Sequence, residues 1–116
     1  PDYDDMMAAV DVAAARPDID ANNLFVTGVS GGGVLTLWTV THTHRFRASC
    51  SIKPVVSWES WLLTADMGVT GGLVWMGSEK PWENPGKYRA RSPLAGPSSA
   101  ATPPSPQSAD AAAARV

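Results

Sequence analysis

The chain has 116 residues and a formal net charge of −2, and this length suits one domain or a piece of one. The sequence has no cluster of basic residues and no apolar run near the ~20 residues of a membrane span, which argues against nucleic acid and membrane partners. The single Cys50 excludes an internal disulfide, and we expect it to be a small buried core residue. No signal peptide is visible, but a piece of a longer chain would not show one, so the compartment stays open with the cytoplasm as the default expectation.

Helical sequence opens the chain. Asp2 and Asp5 have the spacing of a capping box, and apolar residues recur behind them at helical spacing as far as Ala14. Pro17 ends this predicted helix, and turn-forming residues follow it. The apolar run over residues 24–27 then predicts the first buried strand.

The most informative stretch is residues 28–32, which read Gly-Val-Ser-Gly-Gly. It follows the predicted strand and precedes a helix predicted over residues 31–43, and G-x-S-x-G in this context is typical of a nucleophile elbow. We expect Gly28 and Gly32 to let the strand and the helix approach each other around a strained turn. A second buried strand is predicted within residues 46–56, and Lys53 and Pro54 end it. The β-α-β order therefore predicts an α/β fold with a parallel sheet and flanking helices.

Ser30 is the candidate nucleophile, because a serine on such a turn stands out from the sheet and can attack a carbonyl. The backbone N–H of Gly31 would point toward the developing oxyanion. A phosphate-binding loop is the alternative for this glycine-rich run. No Lys follows as in a Walker loop, and Ser30 occupies the second glycine position of G-x-G-x-x-G, so the nucleophile is the favoured interpretation.

A base for this serine is harder to find. His42 and His44 lie twelve or more residues along the predicted helix, ~18 Å away, so we expect both to be helix C-terminal residues rather than catalytic or metal-binding ones. Lys53 ends the second strand and could in principle form a Ser-Lys pair, although a structural lysine is the favoured interpretation. Asp66 and Asp110 are downstream acids that we expect to be solvated or capping. No pattern in the sequence predicts a metal ion or a cofactor.

The remaining sequence divides into two parts. Residues 57–94 contain four tryptophans and many Gly and Pro, which predicts short helices and loops packed over the sheet edge. Residues 97–116 are rich in Pro, Ser and Ala and have almost no apolar bulk, so we expect them to be disordered. The predicted organisation is therefore a partial α/β domain over residues 1–96 and a low-complexity tail over residues 97–116.

Several blocks of this sequence, taken in order and spacing, resemble the catalytic domain of the prolyl oligopeptidase-type serine peptidases, in the acylaminoacyl-peptidase and dipeptidyl-aminopeptidase branch. The most specific blocks are Pro81-Trp82-Glu83-Asn84-Pro85-Gly86-Lys87-Tyr88 and Arg91-Ser92-Pro93-Leu94. The others are residues 2–7, 26–32, 42–46 and 53–58, so the resemblance covers about residues 1–95.

The resemblance implies an α/β-hydrolase fold, usually preceded by a β-propeller, and hydrolysis of short peptides through an acyl-enzyme by a Ser-Asp-His triad without a metal. Carried over by position, Ser30 matches the nucleophile and Gly31 the oxyanion-hole donor, where many relatives have Tyr. The family continues after a segment like residues 91–94 with a buried strand, the acid and the histidine. Here Pro, Ser and Ala follow instead, so we expect a truncation or a frame shift near residue 95.

We therefore expect a fragment of a serine peptidase that is inactive or nearly so by itself, because the triad Asp and His are absent. Its expected partners are a peptide substrate and the missing parts of the parent chain, namely the β-propeller and the C-terminal half of the hydrolase domain. Two alternatives stay open: a non-catalytic α/β remnant that only packs against a partner, and an esterase or lipase of the same fold. The block at residues 81–85 favours the peptidase.

Overall fold

The structure is a computed structural model that describes residues 2–96, and the tail predicted over residues 97–116 lies outside the described residues. The described part is a two-stranded parallel sheet with helices before, between and after the strands. In chain order the elements are α1 (Asp2–Ala14), β1 (Phe25–Val29), α2 (Gly31–His42), β2 (Ala48–Ile52), α3 (Trp58–Thr64), α4 (Gly68–Trp75), α5 (Pro85–Arg91) and a 3-10 turn (Pro93–Ala95).

The predicted β-α-β unit is confirmed. β1 and β2 pair in parallel with Phe25 opposite Ala48 and Val29 opposite Ile52, and α2 connects them. The second strand lies within the predicted span of residues 46–56 and ends directly before Lys53, as predicted. It stops at Ile52 because Lys53 has a φ of 50°, which is incompatible with extended backbone, and a proline follows.

The two faces of the sheet have different surroundings. On one face, the Ser51 hydroxyl donates to the Gly33 carbonyl at 2.8 Å and holds the sheet against α2. Partners in register share a face, so every second pair along the strands points the other way. Those residues form what we term the open sheet face: Phe25, Thr27, Val29, Ala48, Cys50 and Ile52.

All six residues of the open sheet face are exposed, with Phe25 at 68% and Val29 at 56% of their full accessibility. The expectation of a buried Cys50 is therefore wrong, since this cysteine is exposed. The strand around Cys50 has apolar residues, but their burial requires a second layer of structure against this face. Within residues 2–96 no element provides that layer.

The main apolar core lies among the helices that follow the sheet. Leu62 of α3, Met76 after α4 and Tyr88 of α5 are buried together, and Trp58 packs against them. The buried Tyr88 hydroxyl donates to the Glu79 carbonyl at 2.7 Å, which satisfies its polar group. The prediction of short helices over residues 57–94 is confirmed, but α3, α4 and α5 pack on one another rather than over the edge of the sheet.

Short polar contacts define the ends of these helices. The side chain of Ser57 accepts from the Ser60 N–H at 3.3 Å and begins α3, and Asn84 accepts from the Lys87 N–H at 3.1 Å and begins α5. Asp2 is already within α1, so the predicted capping box does not mark its start. The longest helix in the described part of the chain is α1 with 13 residues, and none is long and apolar enough to cross a membrane.

Candidate active site

Ser30 joins β1 to α2 in a strained conformation. Its φ is 56° and its ψ is −116°, a region that non-glycine residues rarely occupy. Two backbone hydrogen bonds hold it there: the Ser30 N–H donates to the Ile52 carbonyl at 2.9 Å, and its carbonyl accepts from the Val34 N–H at 3.0 Å. The predicted strand-turn-helix setting is confirmed, and the side chain is exposed at the carboxyl end of the sheet.

Tight contacts between strand and helix explain two of the glycines. A Cβ on Gly28 would lie 2.3 Å from the Gly32 carbonyl oxygen, and one on Gly33 would lie 2.7 Å from the Ile52 oxygen. A Cβ on Gly32 would meet no atom within 4 Å. The expectation that a close approach requires glycine is therefore confirmed for Gly28. It is wrong for Gly32, because in α2 the residue whose Cβ would clash with the sheet is Gly33. The run of three glycines was the available signal for Gly33.

The first turn of α2 faces the same space as Ser30. The N–H of Gly31 lies where an α-helix has no carbonyl four residues back, so it is available to an external acceptor. A Cβ on Gly31 would meet open space, which leaves room for a bound group. The dipole of the 12-residue α2 adds a partial positive charge at this end. This end of the helix can therefore stabilise negative charge that develops beside Ser30.

A cleft of about 840 Å³ opens at Ser30. α1, the turn, the end of β2 and the helices after the sheet all contribute to its lining. The lining residues are Asp2, Tyr3, Asp4, Ser30, Gly31, Val34, Leu35, Trp38, Lys53, Pro54, Val55, Trp58, Trp61, Trp75, Met76 and Arg91.

Three indole rings form one side of this cleft, and we term them the tryptophan wall: Trp58, Trp61 and Trp75. Their ring centroids are 5.6 to 5.9 Å apart, within the range of favourable aromatic pairs. Arg91 joins them, since its Nη1 donates to the Trp75 carbonyl at 2.9 Å and its own carbonyl accepts from Trp58 Nε1 at 2.9 Å. Sequence reasoning missed this wall, although the three-residue spacing of Trp58 and Trp61 indicates one helix face.

The two histidines lie away from Ser30. His42 is the last residue of α2, ~18 Å along the helix axis from its start, and its Nδ1 lies 2.7 Å from the Trp38 carbonyl. Its ring stacks on Trp38 with a centroid distance of 4.3 Å. The expectation of a helix C-terminal residue is confirmed for His42. It is wrong for His44, which lies beyond the end of α2 and is exposed.

None of the other residues considered as partners of Ser30 forms a catalytic pair with it in the described part of the chain. Asp66 is exposed and accepts from the Met67 N–H at 2.8 Å, as expected of a solvated or capping residue. Asp110 lies outside the described residues. Lys53 lines the cleft with Ser30, but over residues 2–96 no hydrogen bond joins its ammonium to the Ser30 hydroxyl, so no Ser-Lys pair is formed. Within that same range, no group of three or more His, Cys, Asp or Glu residues could hold a metal ion.

Comparison with known protein sequences identifies peptidases as relatives. The model of the prolyl oligopeptidase family matches residues 1–105. The uncharacterized peptidase YuxL of Bacillus subtilis (strain 168) is 40% identical over 94 residues, which cover 80% of this chain and 14% of YuxL.

Solved structures agree with these sequence matches. The uncomplexed acylaminoacyl peptidase of Pyrococcus horikoshii matches with a TM-score of 0.74 and 29% identity, over 80% of this chain and 15% of that one. An acylaminoacyl peptidase in complex with Z-Gly-Gly-Phe-chloromethyl ketone matches with a TM-score of 0.75 and 28% identity, over 81% and 15%.

The chain thus spans about one seventh of the length of these relatives. The described strands and helices are the part of an α/β-hydrolase fold that surrounds the turn at Ser30, as the resemblance in the sequence implied. The family match, the peptidase relative and the solved structures agree, and the chain belongs to the prolyl oligopeptidase family of serine-type peptidases.

Proposed function

We propose that this protein hydrolyses peptide bonds through an acyl-enzyme on Ser30, with the N–H of Gly31 as a donor to the oxyanion. The observation that carries the proposal is the strained, exposed Ser30 at the junction of a parallel strand and a helix N-terminus. Strain of this kind is concentrated at functional sites, because surrounding contacts must maintain it. Membership of a peptidase family favours a peptide over a simple ester as the substrate.

In the proposed reaction the Ser30 oxygen bonds to the peptide carbonyl carbon while its proton passes to a base. The carbonyl oxygen becomes an oxyanion, and the Gly31 N–H donates to it. One such donor is worth about 3 kcal/mol of transition-state stabilisation. The C–N bond then breaks, the leaving amine takes the proton, and water hydrolyses the ester left on Ser30. The tryptophan wall offers an apolar surface on which a substrate side chain can pack.

The base that accepts the Ser30 proton, and the acid that supports this base, lie outside residues 2–96 in the proposed enzyme. Both histidines of the sequence lie at or beyond the far end of α2, so neither reaches Ser30. The exposure of the open sheet face favours additional segments of polypeptide in the working enzyme, because parallel sheets are normally covered on both faces. We propose the C-terminal half of a hydrolase domain and a β-propeller as those parts, with residues 1–96 as a partial domain and residues 97–116 as its tail. We propose that the 116-residue chain by itself is inactive or nearly so.

A fluorophosphonate probe tests the assignment of Ser30. The protein, expressed from its complete gene, is treated with the probe, and the labelled residue is identified by mass spectrometry. We expect labelling at Ser30 that is lost in Ser30→Ala. Ser78→Ala is the matched control, because Ser78 is also exposed but lies outside the residues that line the cleft.

Each outcome has a clear meaning. Labelling that persists in Ser30→Ala, or that is absent from the wild type, contradicts the proposed nucleophile. Labelling of Ser30 together with cleavage of esters but not peptides would instead favour the esterase. Sequencing the gene and translating its other two frames tests the frame-shift hypothesis, which requires an apolar strand followed by Asp and His.

A further inference from the structure

Lys53 is the second strained residue of the cleft. Among residues 2–96, only Ser30 and Lys53 are non-glycine residues with positive φ, at 56° and 50°. Each directly follows one of the two parallel strands, and Val29 pairs with Ile52 in register, so the two strained residues are neighbours at the carboxyl edge of the sheet. Ligands of open α/β sheets bind at this edge. A strained lysine beside the proposed nucleophile is therefore a candidate site residue.

The charge of Lys53 is not neutralised within the described residues. No carboxylate among residues 2–96 forms an ion pair or hydrogen bond with its ammonium. The acids that line the cleft, Asp2 and Asp4, belong to the start of α1 and do not pair with it. The other cation of the cleft, Arg91, also has no carboxylate partner among residues 2–96, but its Nη1 is held at the tryptophan wall by the Trp75 carbonyl. Lys53 thus supplies an unpaired positive charge at the edge where Ser30 lies.

We infer that Lys53 binds a carboxylate of the substrate close to the scissile bond and makes the enzyme prefer peptides that carry a carboxylate at this place. The inference rests on the proposed function of Ser30 and adds a substrate class to it. Lys53 acts as a specificity-determining residue, because its ammonium attracts substrate charge and makes no hydrogen bond to the Ser30 hydroxyl among the described residues. The carboxylate can come from an acidic side chain or from the C-terminus of a short peptide.

The test compares cleavage of matched peptides by the protein expressed from its complete gene. One pair carries Glu or Gln beside the scissile bond and is amidated at the C-terminus. The second pair is neutral in its side chains and carries a free or an amidated C-terminus. We expect kcat/KM to be about three- to tenfold higher for the carboxylate member of at least one pair, since bonds to charged groups in partly exposed sites have this strength. The pair that responds identifies the source of the carboxylate.

Three variants separate charge from structure. Lys53→Asn removes the charge with a residue that tolerates positive φ, and we expect the preference to fall to about onefold. Lys53→Arg keeps the charge and retains the preference. Lys80→Gln is the control, because Lys80 lies outside the residues that line the cleft. Raising the ionic strength from about 0.05 M to about 0.5 M should weaken the wild-type preference through screening.

The outcomes distinguish this inference from the proposed function. If Ser30 accepts the neutral fluorophosphonate probe but the wild type shows no preference in either pair, the role of Lys53 is refuted while the nucleophile stands. The same holds if folded Lys53→Asn keeps the preference. Loss of probe labelling in folded Lys53→Asn also refutes it, because Lys53 would then act on the nucleophile itself. If Ser30 is never labelled, both proposals fall together.

Discussion

Replacing Gly28 by alanine tests the packing that produces the turn at Ser30. The added Cβ would lie 2.3 Å from the Gly32 carbonyl oxygen and 2.4 Å from its carbonyl carbon. Both atoms belong to the backbone of α2, so they cannot move aside by rotating a side chain. Either β1 and α2 separate or the first turn of α2 unwinds, and both changes displace Ser30 and the Gly31 N–H.

The cost follows from the size of this overlap. Overpacking in a well-packed site costs about 1–3 kcal/mol, and a contact with rigid backbone belongs at the upper end. We therefore expect Gly28→Ala to destabilise the unit of β1, α2 and β2 by about 3 kcal/mol. Gly32→Ala is the matched control, because its Cβ would meet no atom within 4 Å. A helical Gly-to-Ala change in open space should stabilise by up to about 1 kcal/mol.

Hydrogen exchange followed by mass spectrometry measures the local stability of β1, α2 and β2 in the protein expressed from its complete gene. A loss of about 3 kcal/mol makes amides of residues 24–52 exchange more than about 100-fold faster, while Gly32→Ala slows them or leaves them unchanged. Fluorophosphonate labelling of Ser30 should slow in Gly28→Ala alone. Equal exchange rates in the two variants would refute the argument that the lack of a Cβ on Gly28 makes the turn possible.

Two further predictions concern the helices and the isolated chain. Burial raises the pKa of the Tyr88 hydroxyl, so its folded form favours the protonated state, and stability is lost as the pH rises above the ordinary tyrosine value of about 10. Tyr88→Phe removes the hydrogen bond to the Glu79 carbonyl and should lower the free energy of unfolding by about 1 kcal/mol at pH 8. Between pH 8 and pH 11, the urea midpoint of this variant should fall less than that of the wild type. An equal fall in both proteins would contradict this. The isolated 116-residue chain should show no sharp thermal transition, because Phe25 and Val29 stay exposed on a two-stranded sheet. A cooperative calorimetric peak would contradict that expectation.

The elements around Ser30 were predictable because their signals are local. An apolar run, a glycine-serine turn and a second apolar run follow each other within about thirty residues, and each constrains the backbone of its own neighbourhood. The order of the elements then requires parallel pairing by a general rule of chain connection. The end of β2 at Lys53 was also predictable, since Pro54 follows it directly, but the left-handed conformation of Lys53 leaves no mark in composition.

The tryptophan wall and the exposure of Cys50 were not predictable in the same way. Trp75 is fourteen residues beyond Trp61, and its approach depends on how α4 folds back on α3. Cys50 lies in a strand whose residues look buried, but its burial depends on elements that would have to lie against the open sheet face. Each of these properties depends on segments that no short window of sequence contains.

The amino-acid sequence by itself therefore determined the family, the β-α-β unit and the serine at its turn, since glycine freedom and apolar periodicity act over a few neighbouring residues. Only the tertiary structure decided that Gly33 makes the second close contact, that Lys53 lies beside Ser30, and that three indoles form a wall of their cleft. The physical reason is that packing and charge act across space, between residues that the chain separates by tens of positions.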